Sequence, residues 1–221
     1  MVGNRIVVVC TANMIRSPFV AGLISSRLAA TTDDHLRVES AGTSARPGAE
    51  AAPEIVDLGR TYGLDLSTHR TRRLDDGVLE TGDTVLCAER AHRRVVLDLR
   101  PDLLPSVFTV REFARLVDDE AVHAAASDWA GLVRAASRAR LAGRVAADDV
   151  DDVVDPVGRP QDVWTEFERQ ATQAVSTILG AMAGLPALGS PIEASQSVAG
   201  TRREYRTRHG VPSSRRAARR G

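Results

Sequence analysis

Cys10 and Arg16 stand with five residues between them, after the apolar run Ile6 to Val9 and before the pair Ser17-Pro18. A thiol and a guanidinium so spaced suit an anion bound beside a nucleophile. The amides of residues 11 to 16 can curl around one oxyanion, and a helix opening at Ser17-Pro18 adds the partial positive charge of its N-terminus. The planar fork of Arg16 takes two oxygens of a tetrahedral anion at once. The same field favours the thiolate of a cysteine at the head of the loop, and Ser17 can donate a hydrogen bond to its sulfur. Thr11, Ala12, Asn13, Met14, Ile15, Arg16 and Ser17 are thus the expected anion-binding residues. Taken singly, Cys10 reads as a buried thiol and Arg16 as a surface cation. That reading does not account for Asn13, Arg16, Ser17 and Pro18 arriving together in one strand-to-helix turn.

The elements that must position this loop follow from periodicity. The β-branched run Ile6 to Val9 reads as a strand buried on both faces, and Phe19, Val20, Leu23, Ile24 and Leu28 recur at helical spacing over residues 17 to 30. Leu36 to Ser40 reads as a second strand, 49 to 62 as a helix ended by Gly63, Asp83 to Ala88 as a third strand and 89 to 99 as a helix stopped by Pro101. Ser106 to Val110 makes a fourth strand, and helical structure resumes over Arg111 to Val117. Residues 121 to 142 read as one long helix or a helical pair, and Asp162 to Met182 as a last helix with Val163, Phe167, Ala171, Ala174, Val175 and Ile178 on one face. Strands alternating with helices predict an α/β fold: a four-stranded parallel sheet in a three-layer α/β/α arrangement, with the loop after the first strand. Ligands in such sheets bind at the carboxyl ends of the strands, where Cys10 lies.

Attack by sulfur on phosphorus needs an acid opposite it, because an alkoxide or phenoxide departs poorly without a proton. Asp155 precedes Pro156, whose ring restricts residue 155 to extended conformations. An Asp-Pro pair alone is weak evidence among 29 acidic residues. Asp148, Asp149, Asp151 and Asp152 place like charges nearby, an arrangement that favours a protonated carboxyl. They also read as a plain solvated run.

The segment Cys-Thr-Ala-Asn-Met-Ile-Arg-Ser-Pro resembles the phosphate-binding loop of the low-molecular-weight protein tyrosine phosphatases, and the resemblance covers roughly residues 4 to 182. It implies a cysteine-dependent phosphatase, most of all for protein phosphotyrosine, working through a thiophosphate intermediate with no metal or other cofactor. Cys10 is then the nucleophile and Arg16 the phosphate clamp. Asp155, placed after the fourth strand and before the last helix, matches the family's general acid. Asn13, Ser17, Ser40 and His69 match a network that holds the loop in shape. The chain also departs from the family pattern. Ile15 stands where a second cysteine is frequent, and Ala12 replaces a common glycine, which requires a negative φ. Val157-Gly158 replaces an aromatic pair that stacks on a substrate ring. Met14 suits an aryl ester, whereas Gly158 fits a phosphoarginine variant of the family. Arsenate reductases share the fold, and Cys87 stands where a thiol relay keeps its second cysteine; Arg94 occupies the place of the third. A non-catalytic phosphoprotein-binding module ranks last, since nucleophile, arginine and acid are all present.

Length and composition set bounds. The 221 residues suffice for one core plus an extension, with 43% hydrophobic and 26% charged residues. No run approaches a membrane span and no secretory signal opens the chain, so a cytoplasmic protein is expected. Two cysteines exclude a disulfide framework, and no Cys/His cluster has metal-ligand spacing. All 29 basic residues are arginine. Residues 201–221 hold eight arginines and one glutamate, a formal +7, against −7 for residues 1–200. The expected organisation is a phosphatase-like domain over 1–184, with a helical insertion about 115–147, and an Arg-rich disordered tail over 185–221. The partner implied is a phosphorylated protein or small phosphomonoester; the tail suits anions in a salt-dependent way, but it has too few aromatics to read as a nucleic-acid site.

Overall fold

The computed structural model describes residues 3–28, 36–143 and 151–185. Four strands, β1 (Arg5–Cys10), β2 (Arg37–Gly42), β3 (Thr84–Cys87) and β4 (Val107–Thr109), form one sheet in the order β2-β1-β3-β4. Every pairing is parallel, with Cys10 opposite Gly42 and Val9 opposite Cys87. The expected α/β class and four-stranded parallel sheet are what the chain adopts.

Alternation along β1 explains the layers. Ile6, Val8 and Cys10 face one core, shared with Phe19 and Ile24 of α1 (Arg16–Leu28), Ile55 of α2 (Pro53–Thr61), and Phe167 and Ile178 of α7 (Gln161–Ala183). Val7 and Val9 face a second core with Val85, Cys87, Val107, Leu74, Leu79, Leu103 and Val96 of α3 (Arg90–Leu99). A strand buried on both faces has no polar alternation, which is why β1 reads as a continuous apolar run.

Several boundaries differ from expectation for local reasons. Val110 starts α4 (Val110–Val117) instead of ending β4, because Thr109 and Glu112 form a reciprocal cap: the Glu112 amide donates to Thr109 Oγ1 and the Thr109 amide to a Glu112 carboxylate oxygen, both at 3.1 Å. Ser106 closes a 3₁₀ helix, Pro101–Ser106. The stretch 121–142 is a pair, α5 (Glu120–Ala124) and α6 (Trp129–Leu141), with α6 restarted by Asp128, which accepts from the Gly131 amide at 2.6 Å. The second helix is shorter than expected because Pro53 fixes its start. The residues 115–147 expected as an insertion include core-forming parts: Trp129, Leu132 and Val133 are buried, and Trp129 Nε1 donates to Thr84 Oγ1 of β3 at 3.2 Å. Asp148, Asp149 and residues 186–221 lie outside the described residues.

Candidate active site

The loop from Cys10 to Arg16 is held from outside by its own carbonyls. The Thr43 and Ser44 amides donate to the Cys10 and Thr11 carbonyls, both at 2.9 Å, and the Ala52 amide to that of Met14 at 3.1 Å. His69 Nε2 lies 2.8 Å from the Asn13 carbonyl. In a trans peptide unit C=O and N–H point in opposite directions, and no cis bond occurs among the described residues. Tying four carbonyls to the surrounding scaffold therefore turns the N–H groups of Thr11, Ala12, Met14 and Ile15 the other way, into the concavity of the loop. Four amide donors around one space make an anion nest.

Asn13 makes that curvature possible. Its φ is +56°, the sole positive value of a non-glycine among the described residues, so Ala12 keeps the negative φ it requires. Asparagine tolerates this left-handed conformation better than most residues. The side chain makes three hydrogen bonds: Nδ2 donates to Ser17 Oγ and Ser40 Oγ, each at 2.9 Å, and Oδ1 accepts from the Arg72 amide at 2.8 Å. Asn13 thus brings together Ser17 and Ser40 through its side chain and His69 through its backbone carbonyl.

Cys10 Sγ sits 3.0 Å from Ser17 Oγ and accepts from the Asn13 amide at 3.3 Å. Sulfur in such a setting is hydrogen-bonded and faces the amide nest, a geometry suited to in-line attack on a bound phosphoryl group. Arg16, the first residue of α1, is buried, 3% exposed. Its Nη1 pairs with Glu89 and reaches the Val153 carbonyl at 3.3 Å; its Nη2 lies 2.8 Å from Asp155 Oδ2 and 3.3 Å from Thr11 Oγ1. A buried guanidinium without anions would be costly, and two carboxylates offset that cost. Asp155 is exposed and also accepts from the Val157 amide at 3.2 Å, a turn that holds it above the loop.

Two of the acidic neighbours of Asp155 lie among the described residues, and both are ion-paired: Asp151 is buried and paired with Arg115 at 2.8 Å, and Asp152 pairs with Arg90 at 3.4 Å. Cys87 is fully buried beside Val9, on the face of the sheet opposite to Cys10. Burial pushes its thiol up from the ordinary value.

Two residues had no motif to announce them. Glu89 caps α3 and pairs with Arg16; His92, three residues on, is buried and sits 2.9 Å from Thr11 Oγ1. Their i, i+3 spacing after a buried strand is a capping signature. Burial, reinforced by Arg16, pulls His92 below its ordinary value, against the opposing pull of Glu89, Asp155 and Asp152.

Residues 5–126, more than half of the chain, match the family model for low molecular weight phosphotyrosine protein phosphatase. The chain belongs to that family. Among its relatives, EpsP of Ralstonia solanacearum is 31% identical over 117 residues, 52% of this chain and 77% of that protein. The protein-arginine-phosphatase of Geobacillus stearothermophilus is 27% identical over 116 residues, 52% of this chain and 75% of its own. Among solved structures, the low molecular weight protein tyrosine phosphatase of T. tengcongensis superimposes with a TM-score of 0.58 at 25% identity, covering 80% of this chain and 97% of that one. In this phosphatase family member the loop, its supporting network and the Asp155 turn converge at the carboxyl ends of β1 and β3.

Proposed function

We propose that this phosphatase hydrolyses phosphomonoesters of proteins, phosphotyrosine foremost, with Cys10 as nucleophile, Arg16 as phosphate clamp and Asp155 as general acid. The observation that carries this reading is Cys10 Sγ, hydrogen-bonded to Ser17 and the Asn13 amide, at the head of a loop whose carbonyls are tied outward and whose Arg16 guanidinium contacts Thr11 and Asp155. The substrate dianion displaces carboxylate from Arg16. That exchange also frees Asp155 from its ion pair at 2.8 Å, so the group that must deliver a proton is released by the binding that requires it. Sulfur then attacks phosphorus in line, the equatorial oxygens rest on the loop amides and Arg16, and the proton of Asp155 passes to the leaving oxygen. In the second step the Asp155 carboxylate takes a proton from water, which attacks the thiophosphate and restores the thiolate.

Protein phosphoarginine is the second reading. It is supported by the likeness to the Geobacillus protein and by Gly158, at φ +64°, beside the exposed Val157 where the acid turn has no aromatic wall. Arsenate reduction by a thiol relay is disfavoured, because Cys87 and Cys10 lie on opposite faces of the sheet. The same proposal takes residues 1–184 as the catalytic domain, 115–147 as its helical addition and 185–221 as a cationic extension. It places the protein in the cytoplasm; no described helix is long and apolar enough to cross a membrane. Turnover of p-nitrophenyl phosphate, a phosphoarginine peptide and arsenate, measured side by side on the purified chain, tests it. Hydrolysis of the aryl phosphate well above the other two is expected, and failure to hydrolyse it would overturn the phosphotyrosine reading.

A further inference from the structure

The Thr11 hydroxyl lies at the rim of the amide nest, on an exposed side chain, and both of its lone pairs are engaged by the protein. One accepts from Arg16 Nη2 at 3.3 Å. The other faces His92 Nε2 at 2.9 Å, and the tautomer of that ring is set by its far side. His92 Nδ1 accepts from the Glu89 amide at 3.1 Å, so in the neutral ring the hydrogen must sit on Nε2 and Nε2 must donate. A hydroxyl with two lone pairs occupied has only its own hydrogen left to give, and no protein acceptor takes it among the described residues.

We infer that Thr11 is a catalytic residue that donates this hydrogen to an oxygen of the transferred phosphoryl group, and that buried His92 is the positioning residue that aims it. The inference rests on the phosphatase reading above and adds a side-chain donor to the loop amides and Arg16. Geometry favours the assignment. Arg16 Nη2, which contacts Thr11 Oγ1, is also the nitrogen that holds Asp155 Oδ2 at 2.8 Å. A phosphoryl oxygen that takes the place of Asp155 on Nη2 therefore arrives beside the Thr11 hydroxyl. Two donors on the threonine oxygen, one of them a cation, polarise its O–H and strengthen what it gives. Burial that keeps His92 neutral keeps the acceptor at Nδ1 and the donor at Nε2 in place.

The test uses Thr11→Val, Thr11→Ser, His92→Leu and His92→Gln in the full chain, together with the Thr11→Val/His92→Leu double variant. The readouts are kcat/KM for p-nitrophenyl phosphate and the dissociation constant of inorganic phosphate by calorimetry. A hydrogen bond to a charged group is worth roughly ten- to a hundredfold. Thr11→Val should lose about that factor in kcat/KM and weaken phosphate binding in parallel, and Thr11→Ser should recover most of the loss. His92→Leu should resemble Thr11→Val, and the double variant should be no worse than either single one, since His92 acts through Thr11. His92→Gln, whose amide can donate where Nε2 does, should recover much of the loss and guards against a folding defect in His92→Leu. Unchanged kcat/KM and unchanged phosphate affinity in Thr11→Val overturn the catalytic assignment. Losses that multiply in the double variant overturn the route through His92. A wild-type chain that does not turn over the aryl phosphate sinks the phosphatase reading instead, and phosphate affinity in the variants still decides whether Thr11 contacts the anion.

Discussion

Cys10 and Asp155 divide the proposed reaction between them, and each has a separable signature. Replacing Cys10 with serine removes the thiol nucleophile, while the outward carbonyl ties and the Asn13 side-chain contacts to Ser17 and Ser40 leave the loop in place. Cys10→Ser should reduce aryl phosphate turnover by about 10⁴-fold or more with phosphate binding retained; a variant that kept its rate would remove Cys10 from the mechanism. Asp155→Asn removes the proton donor and also half of the resting ion pairing on Arg16. Its cost should rise with leaving-group pKa, from little for nitrophenolate to about 10²- to 10⁴-fold for alkyl phosphates. A series of aryl and alkyl phosphates measures that slope. A flat series would shift the acid to Asp148, Asp149, Asp151 or Asp152, of which Asp151 and Asp152 already serve arginines.

The ends of β1 and β2 and the start of α3 meet at the loop, and close approach leaves β2 little tolerance. Gly42 ends β2 opposite Cys10, and a Cβ there would lie 2.6 Å from the Thr11 carbonyl oxygen and 2.7 Å from the Asn13 nitrogen. Both are backbone atoms of the loop, so Gly42→Ala must displace the nest. It should cost about 1–3 kcal/mol in a denaturant melt and lower kcat/KM at least about tenfold. At the start of α3, burial depresses the pKa of His92. The unfolded chain then binds a proton near the ordinary value of 6.5 that the folded chain refuses, so stability is full above 6.5 and declines as pH falls below it, down to the folded value. Around the ring Arg16 reinforces this depression, while Glu89, Asp155 and Asp152 oppose it. Denaturation midpoints compared between pH 7.5 and 5.5 should fall more for wild type than for His92→Gln; equal slopes would mean that His92 titrates as it does unfolded.

Across the described molecule, two aromatic groups close the core on the Cys10 face of the sheet. Phe19, Phe167, Trp164 and Tyr62 join α1, α7 and the end of α2, with Phe19 and Phe167 centroids 5.6 Å apart. Phe108, Phe113 and Trp129 join β4, α4 and α6 at 5.0 and 5.5 Å. Such pairs add to the burial that dominates folding. All of these anchors precede residue 185, and the segment beyond it is poor in large apolar side chains. Removing residues 186–221 should therefore shift the melting temperature by less than about 2 °C and leave kcat unchanged. Differential scanning calorimetry on the full and shortened chains measures this, and a larger drop would show that the extension stabilises the domain.

The local pattern of the chain determined its elements, its class and the heart of its site. Periods of two and 3.6 report burial on a single element, so Ile6 to Val9 and the Phe19 to Leu28 stripe announced β1 and α1 before any packing was known. Cys10, Asn13, Arg16 and Ser17 were legible for the same reason: a loop between a strand and a helix is built from consecutive residues, and its chemistry is written in one segment. Boundaries set by capping, such as the start of α4 at Val110, were also in the chain, in Thr109 and Glu112, but a cap competes with strand propensity and only packing decides between them. What tertiary structure alone decided concerns residues far apart in sequence. Glu89 meets Arg16, His92 meets Thr11 and Arg72 meets Asn13 across separations of 73, 81 and 59 residues. Asp151 and Asp152 look like free charges until Arg115 and Arg90 come to face them. Cys87 looks available to Cys10 until strand register sends the two sulfurs to opposite faces. A sequence records which groups are present and their spacing along one element; which distant charge is answered, and which face a strand turns to its neighbour, is fixed only when the parallel sheet closes and brings the strand ends together.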